Sequence, residues 1–151
     1  GDPGRVFVAG HSAGGYLTSM IGLDKRWLEP YGIDPDTAFV ALIPYSGQVV
    51  THFERRRELG LPDTQPLVDD MAPLSYVRPD CRPMLILSGD REREMLGRYE
   101  ENAYFWRMMR VAGHPDVRIC EFDGFDHGNM PQAGHFVAVR YIREMERRMD
   151  R

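Results

Sequence analysis

The stretch "RVFVAGHSAGGYL", residues 5–17, constrains this chain more than any other. Apolar residues that read as a buried strand run into Gly10-His11-Ser12-Ala13-Gly14 and then into a helical pattern. That is the strand, tight turn and helix context in which G-x-S-x-G presents a serine at a sharp reversal. A hydroxyl is a weak nucleophile at its free pKa, so a reactive serine has to be exposed and paired with a base. Gly10, Gly14 and Gly15 are the residues expected to give the turn its room. The backbone N–H of Ala13, at the helix start, is placed to meet negative charge developing on a carbonyl oxygen.

Three further apolar strands follow, "TAFVALIPY" at 37–45, "PMLILSG" at 83–89 and "VRICEFDG" at 117–124. Helical patterns at 13–23, 95–112 and 133–149 lie between and after them. Near-continuous apolar strands joined by helices argue for a parallel sheet covered on both faces, an α/β sandwich. In the last helix, Phe136, Val139, Ile142, Met145 and Met149 recur at spacings of three and four and are expected to be core. Residues 48–83 differ: a short helix over "THFERRRELG" precedes a proline-rich tract without a period, a lid-like or loop insertion in a single domain over 1–151.

The net charge of -4 gives no reason to expect nucleic acid as a partner, since backbone binding needs a basic footprint. No apolar run reaches the ~18 residues of a membrane span. Cys81 and Cys120 lie before one strand and late in the next, an offset on the order of 10 Å if those strands are parallel neighbours, so both are expected to be reduced. No Cys/His cluster suggests a metal, and no cofactor is expected.

Of five histidines, His127 in "DGFDHGNM" directly follows the fourth strand, at the sheet edge where Ser12 sits, and is the expected base. His114 and His135 fall in a helix–strand turn and in the last helix, and His52 in the loop after the second strand. An acid should follow the third strand, where it would accept the other ring N–H of the histidine. "LSGDREREM" offers Asp90, Glu92 and Glu94, and composition does not choose among them. His11, inside the elbow, and Gln48, where the lid-like segment opens, are candidate substrate-binding residues.

Together "GHSAGG", "IPYSG", "PLSYV", "LILSGDRE" and "DGFDHG" resemble the C-terminal half of the α/β-hydrolase fold, in the esterase and lipase branch near ferulic acid esterase-like and arylformamidase-like enzymes. The resemblance spans nearly the whole chain. It implies a three-layer α/β/α sandwich and a serine hydrolase acting on carboxylic esters with small acyl, carbohydrate or aryl parts. In such proteins the acid usually stands three positions after the glycine ending its strand; counted from Gly89 this is Glu92, with Asp90 as the alternative. The family's first four strands and its His-Gly-Gly oxyanion loop have no counterpart here. The expected partners are therefore a small-molecule ester and either the absent N-terminal half or a second copy meeting the open apolar edge of "VFVAG". Two other readings stay open: an amidase or peptidase of the arylformamidase or prolyl-oligopeptidase kind, which uses the same triad, and an inactive fragment serving as an interaction module.

Overall fold

The computed structural model describes residues 1–151. Four strands, β1 (Phe7–His11), β2 (Ala41–Tyr45), β3 (Met84–Gly89) and β4 (Val117–Phe122), form one sheet in the order β1-β2-β3-β4. All pairs are parallel, in registers such as Phe7↔Ala41, Leu42↔Met84 and Leu87↔Cys120. The helices are α1 (Ala13–Leu23), α2 (Pro35–Ala38), α3 (Phe53–Glu58), α4 (Arg98–Val111) and α5 (Met130–Met149). β2 and β3 are buried at every position, which is why their sequences read as unbroken apolar runs. β1 pairs only with β2 and forms one edge of the sheet.

Two cores lie on opposite faces. One packs Leu42, Met84 and Ile86 of the sheet against Leu23 of α1 and Phe105 and Met109 of α4. The other packs Ile43, Tyr45, Leu85 and Leu87 against Met130, Ala138, Tyr141 and Met145 of α5. The architecture is the expected α/β/α sandwich. No helix is long and apolar enough to cross a membrane, and both cysteines are free.

Two local expectations are corrected. The start of the second apolar run is helical, because Asp34 caps α2 by accepting from the Asp36 N–H at 3.0 Å and Pro35 occupies its first turn. The buried face of α5 is also rotated from the one its large apolar residues suggest: Phe136 is 81% exposed, and Val139 and Met149 are exposed as well. The sheet instead takes the face of Met130, Gly134, Ala138, Tyr141 and Met145. Gly134 explains this choice, since a Cβ there would stand 2.7 Å from the Tyr45 ring, so the helix packs closest where it has no side chain.

Candidate active site

Each of the four strands delivers one polar residue to the carboxyl edge of the sheet, where open α/β sheets form their sites. Ser12 follows β1, Ser46 follows β2, Glu94 lies beyond β3 and His127 beyond β4. They form a continuous chain of hydrogen bonds. His127 Nε2 is 2.9 Å from Ser12 Oγ, His127 Nδ1 is 2.8 Å from Glu94 Oε2, and the Ser46 hydroxyl donates to Glu94 Oε1.

Ser12 and Ser46 are the only two non-glycine residues with positive φ, at 57° and 43°. Such strain persists only where the surroundings enforce it, and it clusters at functional sites. At Ser12 the enforcement comes from both sides: its N–H donates to the Tyr45 carbonyl at 2.9 Å, extending the β1–β2 ladder, while its carbonyl accepts from the Tyr16 N–H at 3.0 Å to open α1. Two of the three expected glycines are sterically required. A Cβ on Gly10 would lie 2.4 Å from the Gly14 carbonyl oxygen, and one on Gly15 would lie 2.8 Å from Gly47 Cα. Gly14 contributes its backbone alone, since a Cβ there would meet open space. Ala13 is exposed, and as the first residue of α1 its N–H has no intrahelical partner.

The acid facing the base is Glu94, and this corrects the expectation of Glu92. Asp90 organises the loop instead: its side chain accepts from the N–H groups of Glu92 and Gly124 at 2.8 and 2.7 Å, and its carbonyl accepts from those of Arg93 and Glu94. That single helical turn sends Glu92 into solvent and brings Glu94 back under His127. The Glu94 side chain is fully buried. Burial opposes its charge, but hydrogen bonds from His127, the Ser46 hydroxyl and the Met95 N–H outweigh it and hold the carboxyl at about 2. A carboxylate only accepts, so Nδ1 carries the proton and Nε2 is left to accept from the Ser12 hydroxyl.

Ser46, which sequence reasoning missed, is completely buried and held by its own shell. Arg98 donates to its carbonyl, Arg98 Nε pairs with Glu101 at 2.9 Å, and Glu101 accepts from the Val49 and Val50 N–H groups at 2.9 and 3.1 Å. Asn102 adds a bond to the Gly47 carbonyl at 2.8 Å. The N-terminal half of α4 thus clamps the loop after β2. The only sequence signal was a Ser-Gly pair directly after a buried strand.

The candidate substrate-binding residues are otherwise engaged. His11 Nε2 donates to the His127 backbone carbonyl at 2.9 Å, and its ring lies 4.6 Å from that of His127. Burial and the neighbouring His127 push its pKa down, so it supports the base loop as a neutral ring. Gln48 is buried and accepts from the Phe53 N–H at 3.3 Å, capping α3 at the wall of a cavity of about 510 Å³. The His52 ring lies between those of Tyr16 and Phe53, tilted against both, at centroid distances of 5.4 and 4.2 Å. His114 is buried against the Cys81 carbonyl, and His135 meets the Tyr45 hydroxyl at 3.3 Å. No three His, Cys, Asp or Glu side chains converge as metal ligands.

No family model matches the chain. Among curated proteins it is 28% identical to Esterase LipQ of Mycobacterium tuberculosis, over 84% of this chain and 33% of that protein. It is 26% identical to the probable carboxylic ester hydrolase LipM of the same organism, over 78% of this chain and 31% of the relative. Among solved structures it superposes on butyrate-bound esterase 2 of Thermogutta terrifontis with a TM-score of 0.68 and 20% identity, covering 92% of this chain and 56% of the other. The chain has the α/β-hydrolase fold of that esterase and is similar in sequence to the two ester hydrolases. A second α/β-hydrolase likeness, to the acylaminoacyl peptidase of Pyrococcus horikoshii, has a TM-score of 0.60 at 20% identity and covers 22% of that chain. The chain spans about a third of the length of the curated relatives it matches.

Proposed function

We propose that this chain carries the nucleophile, base and acid of a serine carboxylic-ester hydrolase: Ser12, His127 and Glu94. The observation that carries the reading is the unbroken contact series from Ser12 Oγ through the His127 ring to Glu94, at 2.9 and 2.8 Å, with the nucleophile on a strained turn. Ser12 Oγ attacks the ester carbonyl while His127 Nε2 takes its proton, and Glu94 stabilises the imidazolium that forms. The Ala13 N–H meets the oxyanion. His127 returns its proton to the leaving alcohol, and water then releases the acyl group by the same route in reverse.

An amide would be cleaved by the same groups; the names of the curated relatives, both ester hydrolases, favour the ester. The segment 48–83, whose first residues border the 510 Å³ cavity, serves as a substrate wall in this reading. The test is peptide mapping after treatment with a fluorophosphonate probe. Ser12 takes the label and Ser12→Ala abolishes it; a label on Ser46, or none on a folded chain, overturns the assignment.

A further inference from the structure

The 510 Å³ cavity is linked to the candidate nucleophile through a series of contacts. The Tyr16 N–H donates to the Ser12 carbonyl, the His52 ring contacts that of Tyr16, and Phe53, against the other side of His52, lines the cavity. Met95, another lining residue, directly follows Glu94 in the chain. The lining is apolar at Val50, Phe53, Pro66, Met95 and Leu96, with Leu96 99% exposed at the rim. Its charged residues are three arginines against two carboxylates, in a chain whose net charge is -4.

Two of those arginines are spent. Arg57 is held by Asp63 through Nε and Nη2 at 3.0 and 2.8 Å and by Glu54 through Nη1 at 2.6 Å. Arg98 pairs with Glu101. Arg56 differs. It is only 6% exposed, and it donates from Nη1 alone, to the backbone carbonyls of Asp63 and Gln65 at 2.7 Å each. Its Nε is buried without an acceptor, and no carboxylate pairs with it. A buried cation without a counter-charge is costly, and an incoming anion would supply the missing charge. The cationic field reaches the neighbouring ring: burial first, and then Arg98, Arg56 and Arg57 together, push the His52 pKa down against the pull of Glu54.

We propose that this cavity is a carboxylate-binding subsite in which Arg56 takes the anionic end of the substrate, so that the ester presented to Ser12 carries a carboxylate on an apolar spacer. The substrate class rests on the esterase reading; the anion site does not. The apolar lining holds the spacer, and Arg56 Nη2, which makes no hydrogen bond within the chain, offers a charge-assisted donor to a carboxylate.

The experiment is calorimetric titration of the full chain carrying Ser12→Ala, which cannot turn over the ligand, with monomethyl succinate and with uncharged dimethyl succinate. Acetoxyacetate, with its carboxylate on the alcohol side, is titrated in parallel to show which side of the ester faces Arg56. The expected result is at least tenfold tighter binding of an anionic ester than of the diester, and loss of that preference on Arg56→Gln. Arg56 also anchors the loop around residues 63–65, so Thr64→Glu, on the exposed part of the wall, is the second variant; it places a carboxylate near Arg56 and removes the preference without touching the anchor. Equal affinities, no binding of either anion, or a preference that survives both substitutions would overturn the subsite. Fluorophosphonate labelling of the wild-type chain separates the two readings. A labelled Ser12 without anion preference refutes the subsite alone, and anion preference with an unlabelled Ser12 refutes the esterase alone.

Discussion

Replacing Glu94 by Gln removes a charge that the fold holds in place, and the consequence is readable from stability before any turnover is measured. The carboxyl sits at about 2 in the folded chain against 4.5 as its ordinary value. Because the folded pKa is the depressed one, the ionised group stabilises the native state above the unfolded pKa, and that contribution drains away as pH falls toward the folded pKa. At ~1.4 kcal/mol per pKa unit the whole effect is about 3 kcal/mol, of which about 2 kcal/mol disappears between roughly pH 6 and pH 3. The side chain itself has no exposed surface, but its surroundings are only half-buried, so solvent screening makes about 3 kcal/mol an upper bound. Urea unfolding of wild type, Glu94→Gln and Glu92→Gln over that range is the assay. Wild type and Glu92→Gln should lose stability in parallel, while Glu94→Gln should fall less steeply by about 2 kcal/mol. If Glu92→Gln is the variant that flattens the curve, or if Glu94→Gln follows wild type, Glu94 is not the buried partner of His127. In the hydrolytic assay the same substitution should be the crippling one, by up to about 10⁴ in turnover, as in serine proteases whose triad aspartate is neutralised.

Ser46→Ala removes one donor to that carboxylate, worth about 1.5–3 kcal/mol for a hydrogen bond to a charged group. It should raise the acid midpoint of the stability curve and slow fluorophosphonate labelling of Ser12 about tenfold or more; an unchanged midpoint would make the Ser46 contact incidental. Within α1, Gly14→Ala should be neutral or stabilising by up to about 1 kcal/mol, since alanine is the better helix former and meets open space. Gly15→Ala, forced against Gly47 and the Tyr45 carbonyl, should shift the urea midpoint the other way, and equal midpoints would contradict the packing described. The unpaired edge of β1, together with exposed Phe136 and Val139 on α5, should drive self-association. Light scattering across a dilution series should show mass rising with concentration, and a constant monomer mass would refute this.

The sheet was legible because its interior strands are buried on both faces, so "ALIP" and "MLILSG" carry no polar alternation to confuse with a helix. That Ser12 and His127 share one edge of the sheet was legible for a related reason: Ser12 directly follows β1 and His127 lies in the loop after β4, where chain order alone fixes the edge. α5 was misread because apolar periodicity registers large side chains, whereas the close contact with Tyr45 selected the face bearing Gly134 and Ala138. A glycine adds nothing to a hydrophobic stripe, yet it decides how near a helix can come.

The carboxylate that faces His127 was hidden by the same kind of local geometry. Three carboxylates within five residues differ little in sequence, and what separates them is the turn that Asp90 nucleates by accepting from the Arg93 and Glu94 N–H groups at 2.9 and 2.8 Å. A carboxylate at position 92 would need the loop to leave β3 in an extended path. Here the path closes on itself, and the acid arrives two residues later. The fully buried Glu94 carboxylate reaches the base on one oxygen and Ser46 on the other. The strained serine after β2 and the displaced glutamate after β3 are therefore one feature: Ser46, pinned by Arg98, fixes where the second carboxylate oxygen must lie, and the residue whose backbone and reach satisfy that point takes the place opposite His127.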